Sequence, residues 1–240
     1  MTLAVLQARL SSTRLPGKVL APVLGVPMIL RQIERLRRST TIDTLVVATS
    51  VEASDDPLAN LLEKDGVLVR RGPLQDVAAR FAAVVQEFRP STLVRLTADC
   101  PLADHAVIDR VVEEHLASGA DYTSNVIDRT YPDGLDVECI AVPAFERMLA
   151  LPLTQPEREH VTLAIYSRPE SFVLKSVEQS PSHAGLRWTV DLPADLEFVR
   201  AVYEHLYDRN PDFGQADILE LVERTPGLNR SDADLDTGTN

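Results

Sequence analysis

Only two cysteines occur in the 240 residues, Cys100 and Cys139, and their spacing suits neither a metal site nor a disulfide framework. The expectation is a pair of buried free thiols in a reducing compartment. No apolar run approaches membrane-span length, so no membrane partner is expected. The first strand-like run carries no basic leader and is too short for a signal peptide, which points to the cytoplasm. Bases are in deficit: 24 Lys and Arg stand against 36 Asp and Glu, for a formal charge of −12. A nucleic-acid partner, which requires a basic face to displace counterions, is therefore excluded. No repeat at a solenoid period is present, and the Walker A spacing G-x-x-x-x-G-K-[ST] is missing. What remains is a chain with 45% apolar residues, enough for a sizeable core.

Against this acidic background one basic segment stands out, AVLQARLSSTRLPGKVL at 4–20. An apolar run of strand length from Leu3 to Leu6 gives way to Arg9, Ser11, Ser12, Thr13, Arg14 and Lys18, with Pro16 and Gly17 forcing a bend before the lysine. Guanidinium forks match phosphate oxygens, lysine adds a point charge, and a tight turn exposes backbone N–H groups. A polyphosphate site and a merely solvated basic loop both fit those residues. In an acidic protein a basic loop points to a small anion, held by local rather than long-range attraction.

Strand-like runs alternate with amphipathic stretches in the first half. Strands are expected at 3–8, 44–49, 67–70 and 92–97, with helices at 27–38, 55–64, 74–88 and 105–117. Such alternation predicts a parallel sheet covered on both faces, with ligand at the carboxyl ends of the strands. After residue 120 the pattern changes. Strands are expected at 121–125, 137–142, 172–177 and 187–190, and helices at 143–150, 157–167, 193–207 and 216–222. One domain, 1–228, with a flexible tail over 229–240, is the expected organisation.

Four further segments hold candidate chemistry. Asp99 directly follows strand 92–97, where a carboxylate can hold Mg²⁺ together with substrate phosphates, although Asp beside Pro101 also fits a turn. Asp191 ends the run 187–190, while Asp195 falls in the first turn of the next helix, where an acid complements the dipole. The Asp133-Gly134 turn precedes a strand on which Asp136 and Glu138 share a face. His160, alone on an expected helix, reads first as structural, with acceptor contact or proton transfer as its other role.

QARLSSTRLPGKVL closely resembles the N-terminal signature of the cytidylyltransferase-like proteins of spore-coat polysaccharide synthesis, a group similar to the CMP-sugar synthetases for 3-deoxy-manno-octulosonate and sialic acids. LTADCPL at 96–102 resembles the family's GDCPL, with Ala98 in place of the usual glycine; WTVDLPADL at 188–196 resembles VDTPEDL; RGPLQDVAAR at 71–80 resembles RGS-x-x-DVL-x-R; and YPDGLDVE at 131–138 resembles the spore-coat group in particular. The resemblance runs to about residue 208. It implies a Rossmann-like α/β nucleotidyltransferase fold: a mostly parallel mixed sheet flanked by helices, with a smaller β-rich insertion. It also implies transfer of CMP from CTP to a sugar, sugar acid or phosphonate-type acceptor, with release of pyrophosphate, for surface polysaccharide or secondary-metabolite synthesis. Arg9, Arg14 and Lys18 would act on the triphosphate. Gln7, Ala8, Ser11, Ser12, Thr49, Arg80 and Asp99 would line the nucleotide side, with Asp76 and Ser50 near it. Asp99 and Asp191 would hold Mg²⁺, and Asp133, Asp136, Glu138 and His160 would meet the acceptor. A homodimer is implied as well. The rival readings are a glycosyltransferase that consumes a nucleotide sugar, whose D-x-D motif is not evident beside strand 92–97, and a non-catalytic nucleotide-binding subunit.

Overall fold

The computed structural model describes residues 1–231. In chain order its strands are β1 (Thr2–Gln7), β2 (Pro22–Val23), β3 (Val26–Pro27), β4 (Thr44–Ser50), β5 (Leu68–Gly72), β6 (Thr92–Thr97), β7 (Tyr122–Ser124), β8 (Glu138–Ala141) and β9 (Leu174–Ser176). The helices are α1 (Met28–Leu36), α2 (Asp56–Lys64), α3 (Val77–Phe88), α4 (His105–Ser118), α5 (Val142–Leu149), α6 (Gln155–Glu159), α7 (Leu163–Tyr166), α8 (Pro193–Leu206) and α9 (Gln215–Arg224).

The main sheet has seven strands in the order β5-β4-β1-β6-β8-β7-β9, and β2 and β3 form a small hairpin of their own. β1 pairs in parallel with both β4 and β6, whereas β8 runs antiparallel between β6 and β7. The chain walks outward from β1 through β4 to β5, then returns to place β6 on the other side of β1. The carboxyl ends of β1 and β6 are therefore a switch point, where loops diverge and leave a crevice.

Both faces of β1 are buried, which explains its unbroken apolar run. Ala4 and Leu6 join a core with Ile29 and Ile33 of α1, Leu58 of α2, Val111 of α4 and Val199 of α8. Leu3 and Val5 face the opposite layer, with Phe81 of α3, Phe145 of α5 and Ile165 of α7. The strands expected as a β-rich insertion join the edge of this same sheet.

Two expected elements differ. The run 187–190 is no regular strand; it makes one bridge, between Asp133 and Arg187. A Cβ on Gly134, at φ +113, would lie 2.7 Å from the Trp188 carbonyl carbon, so the turn and this segment pack backbone to backbone instead of forming a ladder. The helix expected over 157–167 breaks into α6 and α7 at Val161, whose φ is +33. Val161 is fully buried in the core, and that burial outweighs helix continuity. Of the tail expected from 229, residues 232–240 lie outside the described residues. Arg230 is packed, its guanidinium on Asp195 Oδ1 at 3.0 Å and its carbonyl accepting from Arg187 N at 2.9 Å.

Candidate active site

The basic loop leaves β1 at the switch point and is tied down at both ends. Leu10 N donates to Asp55 Oδ1 at 2.7 Å, and Asp55, itself buried, also accepts from Ser50 at the end of β4. Gly17 sits at φ 73, a conformation that glycine adopts freely, and its N–H donates to Leu10 O at 3.1 Å. The turn delivers Lys18 inward: the residue is only 8% exposed, unlike the lysine of a merely solvated loop. Its ammonium donates to Val190 O and, at 3.0 Å, to Asp191 Oδ1, and stands 3.7 Å from Asp99 Oδ2.

Asp99 and Asp191, 92 positions apart in sequence, meet through the backbone, since Val190 N donates to Asp99 O at 2.8 Å. Asp195 caps the start of α8, accepting from Asp191 N and Leu192 N at 2.9 and 2.7 Å, and so orients Asp191. Burial works against the charge on Asp99, yet the Lys18 ammonium and the Thr97 hydroxyl hold its carboxyl below the ordinary value. Arg14 reaches Asp191 Oδ2 at 2.9 Å and Arg9 reaches Glu159 Oε1 at 3.6 Å; the two arginine side chains are 57% and 41% exposed.

Arg9, Arg14, Lys18, Asp99 and Asp191 line a cavity of about 320 Å³ together with Gln7, Ala8, Ser12, Ala98 and His160. Ser11, Thr49 and Arg80 are not on its wall. Ser11 is exposed on the loop, while Thr49 and Arg80 are buried behind it. Arg80 Nη1 donates to Ala48 O at 3.4 Å, and burial together with nearby Arg9 lowers its pKa. Asp76 caps α3 through Ala79 N at 2.8 Å and pairs with Arg158. Ser50 is buried against Asp55.

A second cavity of about 520 Å³ adjoins the first, and Arg95 and His160 line both. Asp136 and Glu138 both line it, although β8 begins only at Glu138 and Asp136 precedes it, and Glu138 is not free to take an acceptor group. Its carboxylate is paired with Arg95 and accepts from Tyr122 Oη at 2.7 Å, and it is only 6% exposed. Burial raises the pKa of such an acid, but Arg95 and its hydrogen-bond donors hold Glu138 below the ordinary value. Asp136 is forked by Arg129 at 2.6 and 2.8 Å. Asp133 lines neither cavity; it lies 3.7 Å from Arg129 and 4.0 Å from Arg187, and burial, with Asp136 next, pushes its pKa up to about 6.

Two important residues escaped sequence reading. Arg95 sits inside an apolar strand and joins the two cavities; a lone arginine in a run such as TLVRLT is the signal that marks it. Arg187, 2% exposed, contacts Asp191 Oδ2 at 2.9 Å, Asp195 Oδ1 at 2.8 Å and Asp133. Its signal was an arginine opening a short apolar run that ends in an acid.

Among the described residues, no three His, Cys, Asp or Glu side chains converge as a metal site. Asp99 and Asp191 nevertheless focus on one point that a cation, the Lys18 ammonium, already occupies. Such a two-carboxylate donor set fits a hard dication that takes its other ligands from a nucleotide's phosphates.

An α/β sheet with a basic loop and paired carboxylates at its switch point defines a nucleotide-handling transferase. The family model for cytidylyltransferases matches residues 3–218, and the chain belongs to that family. It is 33% identical to the spore coat polysaccharide biosynthesis protein SpsF of Bacillus subtilis, over 93% of this chain and 95% of that protein. A cytidylyltransferase structure from Leptospira borgpetersenii superposes with a TM-score of 0.90 at 28% identity, covering 95% of both chains. The structure of a CMP:2-keto-3-deoxy-manno-octonic acid synthetase complexed with CTP shares the fold, with a TM-score of 0.66 at 17% identity over 85% of this chain and 98% of that one. The protein is thus a nucleotidyltransferase enzyme of mostly parallel α/β architecture. Among the described residues no helix is long and apolar enough to cross a membrane.

Proposed function

We propose that the protein transfers CMP from CTP to a hydroxyl of a small sugar-like acceptor and releases pyrophosphate, as one step in making a surface polysaccharide or a related product. The observation that carries this reading is the convergence of Lys18, Asp99 and Asp191 at the switch point beside Arg9 and Arg14. In the reaction the acceptor oxygen bonds to the α-phosphorus in line. The bond from that phosphorus to the bridging oxygen breaks, pyrophosphate leaves with the electron pair, and the hydroxyl proton passes to solvent. Such transfers depend on positioning and electrostatics more than on covalent help from the protein.

Each residue has a part that follows from its surroundings. Arg9 and Arg14, exposed guanidinium groups each held by a single ion pair, can turn from their acids to the outer phosphates. Lys18, fixed from below by Val190 O, would face the α-phosphate, while Ser12 and the loop N–H groups would add hydrogen bonds. Asp99 and Asp191 would hold Mg²⁺, which when bound polarises the phosphorus and aligns the attack. Gln7, at the end of β1, would lie near the sugar or base, with Arg80 and Thr49 supporting that side from behind. Asp136 and His160 would face the acceptor from the second cavity, with Asp133 behind them beside Arg129. We place the enzyme in the cytoplasm, where CTP is available and the buried thiols Cys100 and Cys139 stay reduced, and as a homodimer.

Pyrophosphate release is measured with Mg²⁺ and each of CTP, UTP, GTP and ATP against a panel of sugar acids, amino sugars, neutral sugars and phosphonates. Turnover with CTP alone is expected. Release of a nucleoside diphosphate from a nucleotide sugar would instead mark a glycosyltransferase, and equal use of UTP or GTP would move the chain to another transferase specificity.

A further inference from the structure

We propose that the acceptor is a hydroxyl-rich molecule, neutral or carrying an amine, with no anionic group where it meets the second cavity. This rests on the assignment of that cavity to the acceptor. The cavity has two guanidinium groups on its wall, Arg95 and Arg129. Each already has a carboxylate of its own. Arg95 is paired with Glu138, and both side chains are largely buried, at 14% and 8% exposure. Arg129 holds Asp136 by a two-point fork, and Asp133 stands at 3.7 Å from the same guanidinium as a third carboxylate.

An incoming carboxylate or phosphonate would have to displace Asp136 from Arg129 and leave it charged beside Asp133. The nearby cations are committed elsewhere: Arg187 to Asp191 and Asp195, Lys175 to Glu114. A bidentate arginine–carboxylate pair is a strong, geometrically specific contact, so an added anion gains little from it. Hydroxyls and ammonium groups find the opposite situation. The carboxylate oxygens of Asp136 can accept from them, and Ile127, Leu174 and Tyr166 offer apolar wall for the face of a sugar ring. The first cavity differs: besides the shared Arg95 it has Arg9 and Arg14, whose side chains are largely exposed and each meet one acid.

The test uses matched acceptors that differ in one group: 3-deoxy-manno-octulosonate, its alcohol reduced at the carboxyl carbon, and a 2-amino-hexose. Their binding to the CMP-loaded full chain is measured by calorimetry, for wild type and for Asp136→Asn, with CTP affinity and a thermal melt recorded for each. The wild type is expected to favour the alcohol or the amine over the acid by at least about tenfold in Kd. Asp136→Asn removes the two-point fork on Arg129, leaving only the looser contact with Asp133, and should shift that ratio toward the acid by about tenfold or more; Asp136→Ser replaces it if the asparagine variant does not fold. A wild type that binds the acid more tightly than its alcohol, or a folded variant that gains no affinity for the acid, overturns the proposal. A wild type that fails to bind CTP overturns the nucleotide reading itself, an outcome distinct from a wrong acceptor class.

Discussion

The two adjoining cavities contain the same kinds of residues and use them differently. In the first, Arg9 and Arg14 are 41% and 57% exposed, and each touches one carboxylate. The Arg9–Glu159 pair, exposed on both sides, is worth only about 0–1 kcal/mol, and Asp191 keeps Lys18 and Arg187 when Arg14 leaves, so a triphosphate can take over both arginines with little loss. In the second, Arg95 and Glu138 are largely buried together. Removing one partner of a buried pair typically costs about 3–5 kcal/mol, so this pair is part of the fold, not a docking point. Charge composition alone does not separate the two cavities; the cost of exchanging partners does. The first cavity can release Arg9 and Arg14 to a ligand, whereas Arg95, on the wall shared by both cavities, and Arg129 of the second stay with their own carboxylates.

The sharpest way to break this contrast is to unpair the buried arginine. Arg95→Met leaves Glu138 buried without a cation, with only neutral donors such as Tyr122 Oη, and should lower stability by about 3–5 kcal/mol in denaturant unfolding. A loss below about 1 kcal/mol would show that the pair is as exchangeable as those of the first cavity. Next in size are Asp99→Asn and Asp191→Asn, which keep the shape and remove the charge. Each should lower kcat by about 10²–10³ and raise the Mg²⁺ requirement, and each should also lower the metal-free melt, because the largely buried Lys18 loses a charged partner. A variant with unchanged turnover and Mg²⁺ dependence would make its aspartate a structural cap.

Asp133 sharpens the comparison through pH. Its folded pKa, about 6, lies above the ordinary 3.8 because burial and then Asp136 oppose its charge. The folded state therefore holds its proton more tightly than the unfolded chain does. The stabilising contribution is present when the group is protonated in both states' common range below about 4, and it is lost as pH rises from about 4 through 6. Asp133→Asn should accordingly stabilise the protein by about 2–3 kcal/mol at pH 8 and leave it little changed at pH 4. Melts across that range check it; an equal gain at both pH values would contradict it. The smallest effect belongs to Arg14→Gln, which should change stability by less than about 1 kcal/mol yet weaken CTP binding several-fold.

Much of the first cavity was legible because its signals are local. A strand, a basic loop and a Pro-Gly bend follow one another within 4–20, and the strand–helix alternation places that loop at the sheet's carboxyl edge. What was not legible depends on contacts distant in sequence. Lys18 is buried because Val190 O and Asp191 receive its ammonium, 172 and 173 positions away. Glu138 lost its expected role to Arg95, a partner 43 positions off across β6 and β8. The helix expected over 157–167 breaks because Val161 turns into the core, a tertiary demand invisible to periodicity. RWTV read as a strand from composition, but its surroundings offer it a close-packed turn at Gly134 rather than a neighbouring ladder.

The difference between the cavities is tested most directly by titrating CTP with Mg²⁺ into three proteins by calorimetry: wild type, Lys18→Met and Asp136→Asn. Methionine preserves the buried stem of Lys18 and removes its charge, so its effect reports on phosphate binding and not on lost packing. The account predicts that Lys18→Met weakens CTP binding by about tenfold or more while Asp136→Asn stays within about twofold of wild type. Equal losses in both variants, or CTP affinity untouched by Lys18→Met, would contradict the assignment of the triphosphate to the first cavity.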